Sequence, residues 1–327
     1  MVGDGDDGRR WRNGHGLLRR PLTQSPTVHV LAILAAAVLF GSTGTAQALG
    51  PDAATPLGVG AVRIAIGAAG LWLFVRGGAH ANLVRQQWRW VAIGSAGVAA
   101  YQPGFFTGTE RLGVALGTIV ALGSGPAFAG LVQWALGIRP TAAWARATGL
   151  AVAGGCLLVF AGESGARFSL VGLLGALAAG LGYALYAIAT RRLIERGVGS
   201  TQASAWQFSI GAIVLAPLLF IEPMGWLTEP SGVLMALHLG LACTSVAYVL
   251  YGWGLRSVDA ATATTLTLAE PVTAAVLAVS VLDERLAWFG WLGAALVVAG
   301  LATLGGGARP WPWRRVSGPG DAGTASA

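Results

Sequence analysis

The chain has 327 residues, of which 54% are apolar and 50 are Gly, with 21 basic and 14 acidic side chains making up only 11%. A soluble domain averages roughly 25% charged residues, so a large soluble domain is excluded, and at about 20 residues per crossing the length suits about ten membrane helices. All 21 basic residues are Arg, which leaves no side-chain amine for a Schiff base and rules out a retinal-type lysine photoreceptor. The net charge of +7 comes from arginines spread between apolar runs rather than gathered on one polar face. The expected partner is therefore the lipid bilayer, with no nucleic acid.

In chain order the composition predicts an Arg-rich disordered tail over 1–27, then spans at 28–48, 55–75, 90–108, 114–136 and 144–161. A short linker at 162–168 leads to spans at 169–190, 203–221, 232–252, 260–281 and 287–304, and to a second disordered tail over 305–327. The runs are apolar on every face, without the period-two alternation of a barrel strand, so they read as helices. Arg19 and Arg20 ahead of the first run, with Ala46-Gln47-Ala48 at its end, also fit a cleaved signal peptide. The run is kept as a membrane helix because the repeat described below needs it. Trp311 and Trp313 beside Arg314 and Arg315 are placed to anchor the last tail at the interface.

Orientation follows from the arginines. With the N-terminus in the cytoplasm, ten spans put 17 Arg on the cytoplasmic side and leave only Arg111, Arg167 and Arg285 opposite. The positive-inside rule then places both termini in the cytoplasm of a bacterial-type inner membrane and favours an even number of spans.

The two halves resemble each other. At an offset of 145, Arg111, Ala115, Pro126, Ala129 and Gly155 fall on Arg256, Ala260, Pro271, Ala274 and Gly300. At 144, Ile66-Gly67-Ala68 falls on Ile210-Gly211-Ala212, and at 141, Ala37 and Gly41 fall on Ala178 and Gly182. Five spans per half is an odd number, so the second copy enters the bilayer from the opposite side. Such a 5+5 inverted repeat can adopt two packings of similar energy, one open to each side, which is the basis of alternating access.

The stretch from Val258 to Leu286, with small residues entering a helix, a central Glu270-Pro271 and an exit Glu284-Arg285-Leu286, is followed by Gly290, Gly293 and Gly300. It resembles the closing part of an EamA domain of the drug/metabolite transporter superfamily. Leu39-Phe40-Gly41-Ser42-Thr43, with Arg63 in the second span, is similar to the opening part. In the first half Gly125-Pro126 keeps the proline, whereas Arg139-Pro140-Thr141 replaces the Glu-Arg-Leu exit. The resemblance covers about 28–305. It implies an all-α polytopic membrane protein with ten helices in two EamA-like repeats, 28–161 and 169–304, usually exporting small metabolites, amino acids or drugs.

A charge at mid-bilayer costs about 2.5–3.5 kcal/mol on insertion scales, so it asks for a partner or a wet cavity. Arg63 and Glu270 are the two clear cases. Arg stays protonated at any biological pH, which suits it to an anionic substrate group, whereas a carboxyl exchanges protons. Glu270 is the proton-coupling candidate, or binds an amine. The competing reading is a structural ion pair, or a carboxylate that bonds backbone groups released by Pro271. Pro126 and Pro271 are expected to kink their helices. Tyr101, Gln102, Tyr183, Trp206, Gln207 and Tyr248 complete the predicted substrate-binding set, with Tyr186, Tyr251 and Trp253 as further polar tips. The two amides rank above the aromatics, since a buried amide needs hydrogen-bond partners and aromatics near span ends often serve as interface anchors.

Cys156 and Cys243 lie inside apolar segments, and His15, His29, His80 and His238 are scattered singly, so no metal site or cofactor is expected. No phosphate loop with Gly and Lys is present, which points to secondary transport of a small organic solute. Two alternatives stand beside a transporter: an intramembrane enzyme on lipid or isoprenoid substrates, which would want clustered Asp or His, and a non-transporting assembly subunit. High Gly and Ala content suits internal packing and a homodimer alike.

Overall fold

The computed structural model describes residues 26–76, 81–161, 169–283 and 285–305. The long helices are α1 (Pro26–Ala48), α2 (Pro56–Leu73), α3 (Trp88–Leu112), α4 (Val114–Ala135) and α5 (Ala142–Phe160). They are followed by α6 (Leu170–Glu195), α7 (Ser200–Leu215), α8 (Pro230–Gly254), α9 (Ala260–Val281) and α10 (Trp288–Gly305). Among the described residues there is no strand. Seven of these helices, α1, α2, α4, α5, α6, α8 and α9, are long and apolar enough to cross a membrane. α10 is a shorter apolar helix, α3 carries Arg89, Glu110 and Arg111, and α7 stops after 16 residues. Of the expected tails over 1–27 and 305–327, Pro26 and Thr27 instead begin α1 and Gly305 ends α10; their remaining residues, the linker at 162–168, and Trp311 and Trp313 lie outside the described residues.

Local chemistry sets several helix starts. Thr55, Thr141, Ser169 and Asp259 each accept, through a side-chain oxygen, the backbone N–H three residues on, at 3.0–3.2 Å. This satisfies one of the free donors that every helix start leaves. Pro56 and Pro230 occupy first-turn positions, where a missing N–H costs nothing. At the other end of the chain reversal, Gly113 (φ 90°) joins α3 to α4 in a conformation that a side chain would strain.

Glycines let the helices approach closely. Across α3 and α6, a Cβ at Gly104 would lie 2.7 Å from the Gly175 carbonyl oxygen, and one at Gly182 would lie 2.7 Å from the Gly97 oxygen. Across α5 and α10, a Cβ at Gly293 would lie 2.7 Å from the Leu158 nitrogen, and one at Gly300 would lie 2.8 Å from the Ala147 oxygen. In both pairs the contacts ascend one helix as they descend the other, so the partners run antiparallel.

Several helix contacts recur when each helix is exchanged for the one five places away, whereas others, such as α3 on α4 and α6 on α7, have no comparable counterpart. α3 packs on α6 as α8 packs on α1, α4 packs on α6 as α9 packs on α1, and α2 meets α8 as α7 meets α3. The pairs α2–α7, α4–α9 and α5–α10 map onto themselves and are all in contact.

Two helices depart from α geometry. α9 breaks into Ala260–Leu266, a 3-10 turn over Thr267–Ala269 and Glu270–Val281. The missing N–H of Pro271 explains why the ladder tightens there. α8 contains a π-helical stretch, His238–Val246, in which Thr244 and Ser245 donate their hydroxyls to the carbonyls of Leu239 and Gly240, five residues back. α4, by contrast, runs as one helix through Pro126. Pro103 sits inside α3 and α3 also continues past it.

Candidate functional site: a crevice holding Arg63 and Glu270

A crevice of about 580 Å³, counting its mouth, opens among α1, α2, α3, α4, α6, α8 and α9. α1 contributes Phe40, Thr43 and Gln47, residues three and four apart that fall on one helical face. α3 contributes Tyr101, Gln102, Phe105 and Phe106, again one face, and Leu122 of α4, Tyr183 of α6 and Tyr248 of α8 close the walls. Arg63 enters from α2, and Glu270 from the point where α9 is interrupted.

Six of the eight predicted binding residues, Arg63, Tyr101, Gln102, Tyr183, Tyr248 and Glu270, therefore meet in one place. The structure does not bring in the other two. Trp206 packs edge-on against Trp72, with ring centroids 5.4 Å apart, beside the cluster of Val84, Val91 and Leu193. Gln207 is fully buried where α7 meets α3 and α6, accepting a 2.8 Å hydrogen bond from the Thr190 hydroxyl and touching Gly94. Tyr186 and Tyr251 back the crevice from a buried aromatic cluster, the former bonded to Ser204 at 2.8 Å. Trp253 leans on His29 at 5.4 Å.

The charges define the chemistry. Among the described residues the ion pairs are those of Arg191 and Arg192 with Glu195, far along α6 from the crevice. Arg63 and Glu270 form none, and the buried Nε of Arg63 has no hydrogen-bond partner. Among the described residues a cation and an anion thus face one cavity without a direct ion pair between them. The walls between them are aromatic, with Tyr101 stacked on Phe105 at 5.7 Å and edge-on to Tyr183 at 6.3 Å. Such faces also attract an ammonium group. The Tyr183 hydroxyl donates to Thr267 at 3.0 Å, tying α6 to the 3-10 turn that presents Glu270. At Gly41 of α1 a Cβ would lie 2.7 Å from the Glu270 carbonyl oxygen, so only glycine lets α1 sit against this turn.

Phe40, Thr43, Gln47, Phe105, Phe106 and Leu122 were not among the predicted binding residues, although the three- and four-residue spacing of Phe40, Thr43 and Gln47 is a readable signal. Among the described residues no group of three or more His, Cys, Asp or Glu is placed to hold a metal.

Apolar spanning helices around a polar crevice define a polytopic membrane transporter. The chain is 41% identical over 282 residues to YwfM, an uncharacterized transporter of Bacillus subtilis (strain 168), covering 85% of this chain and 93% of that protein. Residues 170–306 match the EamA-like transporter family. The chain belongs to that family, within the drug/metabolite transporter superfamily. It is also 27% identical to a probable terminal-alkyne amino-acid exporter of Streptantibioticus cattleyicolor, over 64% of this chain and 70% of that one. A crystal structure with 23% identity superposes with a TM-score of 0.73, covering 84% of this chain and 96% of the other, and shares the fold.

Proposed function

We propose that the protein is a secondary active exporter of a small zwitterionic metabolite, an amino acid or a related compound, held in the crevice between Arg63 and Glu270. The observation that carries this reading is that both charges face one cavity and neither is paired with the other. A substrate carboxylate satisfies the planar fork of Arg63, and a substrate amine satisfies Glu270 with support from the aromatic walls. The relative named as a probable amino-acid exporter favours the same substrate class.

Movement is by alternating access of two oppositely threaded five-helix units, α1 to α5 and α6 to α10. The helix contacts that recur when the halves are exchanged support this reading. So do the matched prolines Pro126 and Pro271. With ten crossings both termini lie in the cytoplasm of the inner membrane, as the arginine distribution favours. Glu270 carries the coupling proton, alternating between substrate amine and proton.

Purified protein in proteoliposomes, loaded with labelled amino acids and assayed for efflux with and without a pH gradient, tests the proposal. Saturable flux that Arg63→Ala weakens, and whose response to the pH gradient Glu270→Gln removes, is the expected result. Flux that ignores both substitutions overturns it.

A further inference from the structure

α9 is anchored along one half and free of such anchors along the other. All seven residues of Ala260–Leu266 are buried, whereas none of Glu270–Val281 is. Two bonds tie the buried half to its neighbours: the Ala261 N–H donates to Gln133 Oε1 of α4 at 3.2 Å, and the Thr265 hydroxyl meets that of Thr148 on α5 at 2.9 Å. Among the described residues the side-chain hydrogen bonds of Glu270–Val281 stay within α9. The 3-10 turn Thr267–Ala269 joins the two halves, and Pro271, which has no N–H, cannot carry the α-helical ladder across it. A short irregular stretch between a fixed and a less fixed segment is where a hinge absorbs rotation.

Thr267 sits at this pivot. Its hydroxyl accepts from Tyr183 of α6 at 3.0 Å and donates to the Thr264 carbonyl at 2.9 Å, and its own carbonyl accepts the Glu270 N–H. One threonine thus joins the Tyr183 hydroxyl to the backbone of Glu270. A phenol carries a single proton, and here it is committed to Thr267 rather than to the crevice.

We infer that Tyr183 is a positioning residue for proton coupling: acting through Thr267, its hydroxyl holds the pivot of α9 and so sets the place of Glu270 in the crevice. The inference rests on the proposed function, in which Glu270 carries the coupling proton, and assigns Tyr183 to the placement of that carboxyl. The titratable groups around Glu270 are Arg63 of α2, Tyr101 of α3, Tyr183 of α6 and Tyr248 of α8, with Cys156 of α5 beside Pro271. The crevice residues of α1 and α4 are uncharged, and α10 has no titratable side chain. A loosened pivot moves the carboxyl relative to all of these groups at once, so coupling changes while the remaining crevice walls stay in place.

The test is amino-acid efflux from proteoliposomes, read as the ratio of rates with and without acid on the receiving side, a ratio that cancels the amount of folded protein. Tyr183→Phe is expected to lower it by about two- to tenfold, the worth of one neutral hydrogen bond. Thr267→Val is expected to lower it equally and the double variant no further, because both changes remove one bond. Thr267→Ser, which keeps the hydroxyl, is expected to retain the wild-type ratio. A ratio unchanged in Tyr183→Phe overturns the inference, as do effects that multiply in the double variant, the mark of two independent contacts. Thr267→Val against Thr267→Ser reads the same bond without touching the phenol, and equal ratios in those two overturn it as well. In each of these cases Glu270→Gln still removes the acceleration, so coupling at Glu270 stands. A gradient response kept by Glu270→Gln removes the functional reading, and the inference with it.

Discussion

Arg63 on α2 and Glu270 on α9 line the same crevice yet form no ion pair. In a membrane interior opposite charges ordinarily satisfy each other, because each left alone costs about 2.5–3.5 kcal/mol. Holding them apart makes sense where a ligand completes both. A zwitterion between them would gain two charge-assisted contacts that, among the described residues, no ion pair takes. Arg63→Ala is expected to lower substrate affinity at least tenfold, whereas Arg63→Lys, which keeps the charge but loses the bidentate fork, recovers part of it. Binding titrations on the detergent-solubilised variants check this. Equal affinities for wild type and Arg63→Ala would show that the guanidinium does not touch substrate.

Glu270 separates coupling from binding. The groups that face it across the crevice are Arg63 from α2, Tyr101 from α3, Tyr183 from α6 and Tyr248 from α8. None of these serves as a proton carrier near neutral pH, since Arg stays charged and a phenol ordinarily titrates at about 10, which leaves the Glu270 carboxyl. Acidifying the receiving side is expected to accelerate wild-type efflux, because protonation there displaces the substrate amine. Glu270→Gln is expected to remove this acceleration and to keep substrate exchange at equal pH. Efflux measured against an imposed gradient decides, and a gradient response retained by Glu270→Gln moves the coupling site elsewhere.

Apolar runs specified the helices well: the run at 260–281 coincides with α9, and 28–48 lies within α1. Charges inside such runs marked Arg63 and Glu270, because desolvation makes an intramembrane charge conspicuous. Other polar groups were ambiguous. Gln102 and Gln207 look alike in sequence, but one faces the crevice and the other bonds Thr190 where helices meet. Burial can be read from an apolar context, whereas the neighbour that satisfies an amide depends on tertiary packing. The π-helical stretch was hidden for a related reason. His238 to Val246 has an ordinary helical composition, and its distinguishing bonds, from Thr244 and Ser245 to carbonyls five residues back, appear only in the folded chain.

That stretch makes a prediction of its own. Ser245 donates toward its own Gly240 carbonyl at 3.1 Å and toward the Gly67 carbonyl of α2 at 3.0 Å, so one hydroxyl joins the π-helical segment to the helix that carries Arg63. Ser245→Ala removes both interactions and is expected to cost about 1–3 kcal/mol, the range for leaving buried acceptors unmet. Thermal unfolding in detergent checks the loss. A melting temperature equal to that of wild type would mean that the contact contributes nothing to stability.

Glycine substitutions give predictions of opposite sign. At Gly182 an added Cβ lies 2.7 Å from the Gly97 carbonyl oxygen and cannot be accommodated without parting α3 from α6. Gly182→Ala is therefore expected to destabilise by about 1–3 kcal/mol through overpacking. At Gly149 of α5 an added Cβ meets nothing within 4 Å. There alanine restricts the backbone without a clash, and helix propensity favours it by up to about 1 kcal/mol. Gly149→Ala is expected to hold or raise the melting temperature while Gly182→Ala lowers it, both read by circular dichroism in the same detergent. Equal effects at the two sites would contradict the close α3–α6 approach, and with it the geometry that holds Tyr101 and Tyr183 on facing walls of the crevice.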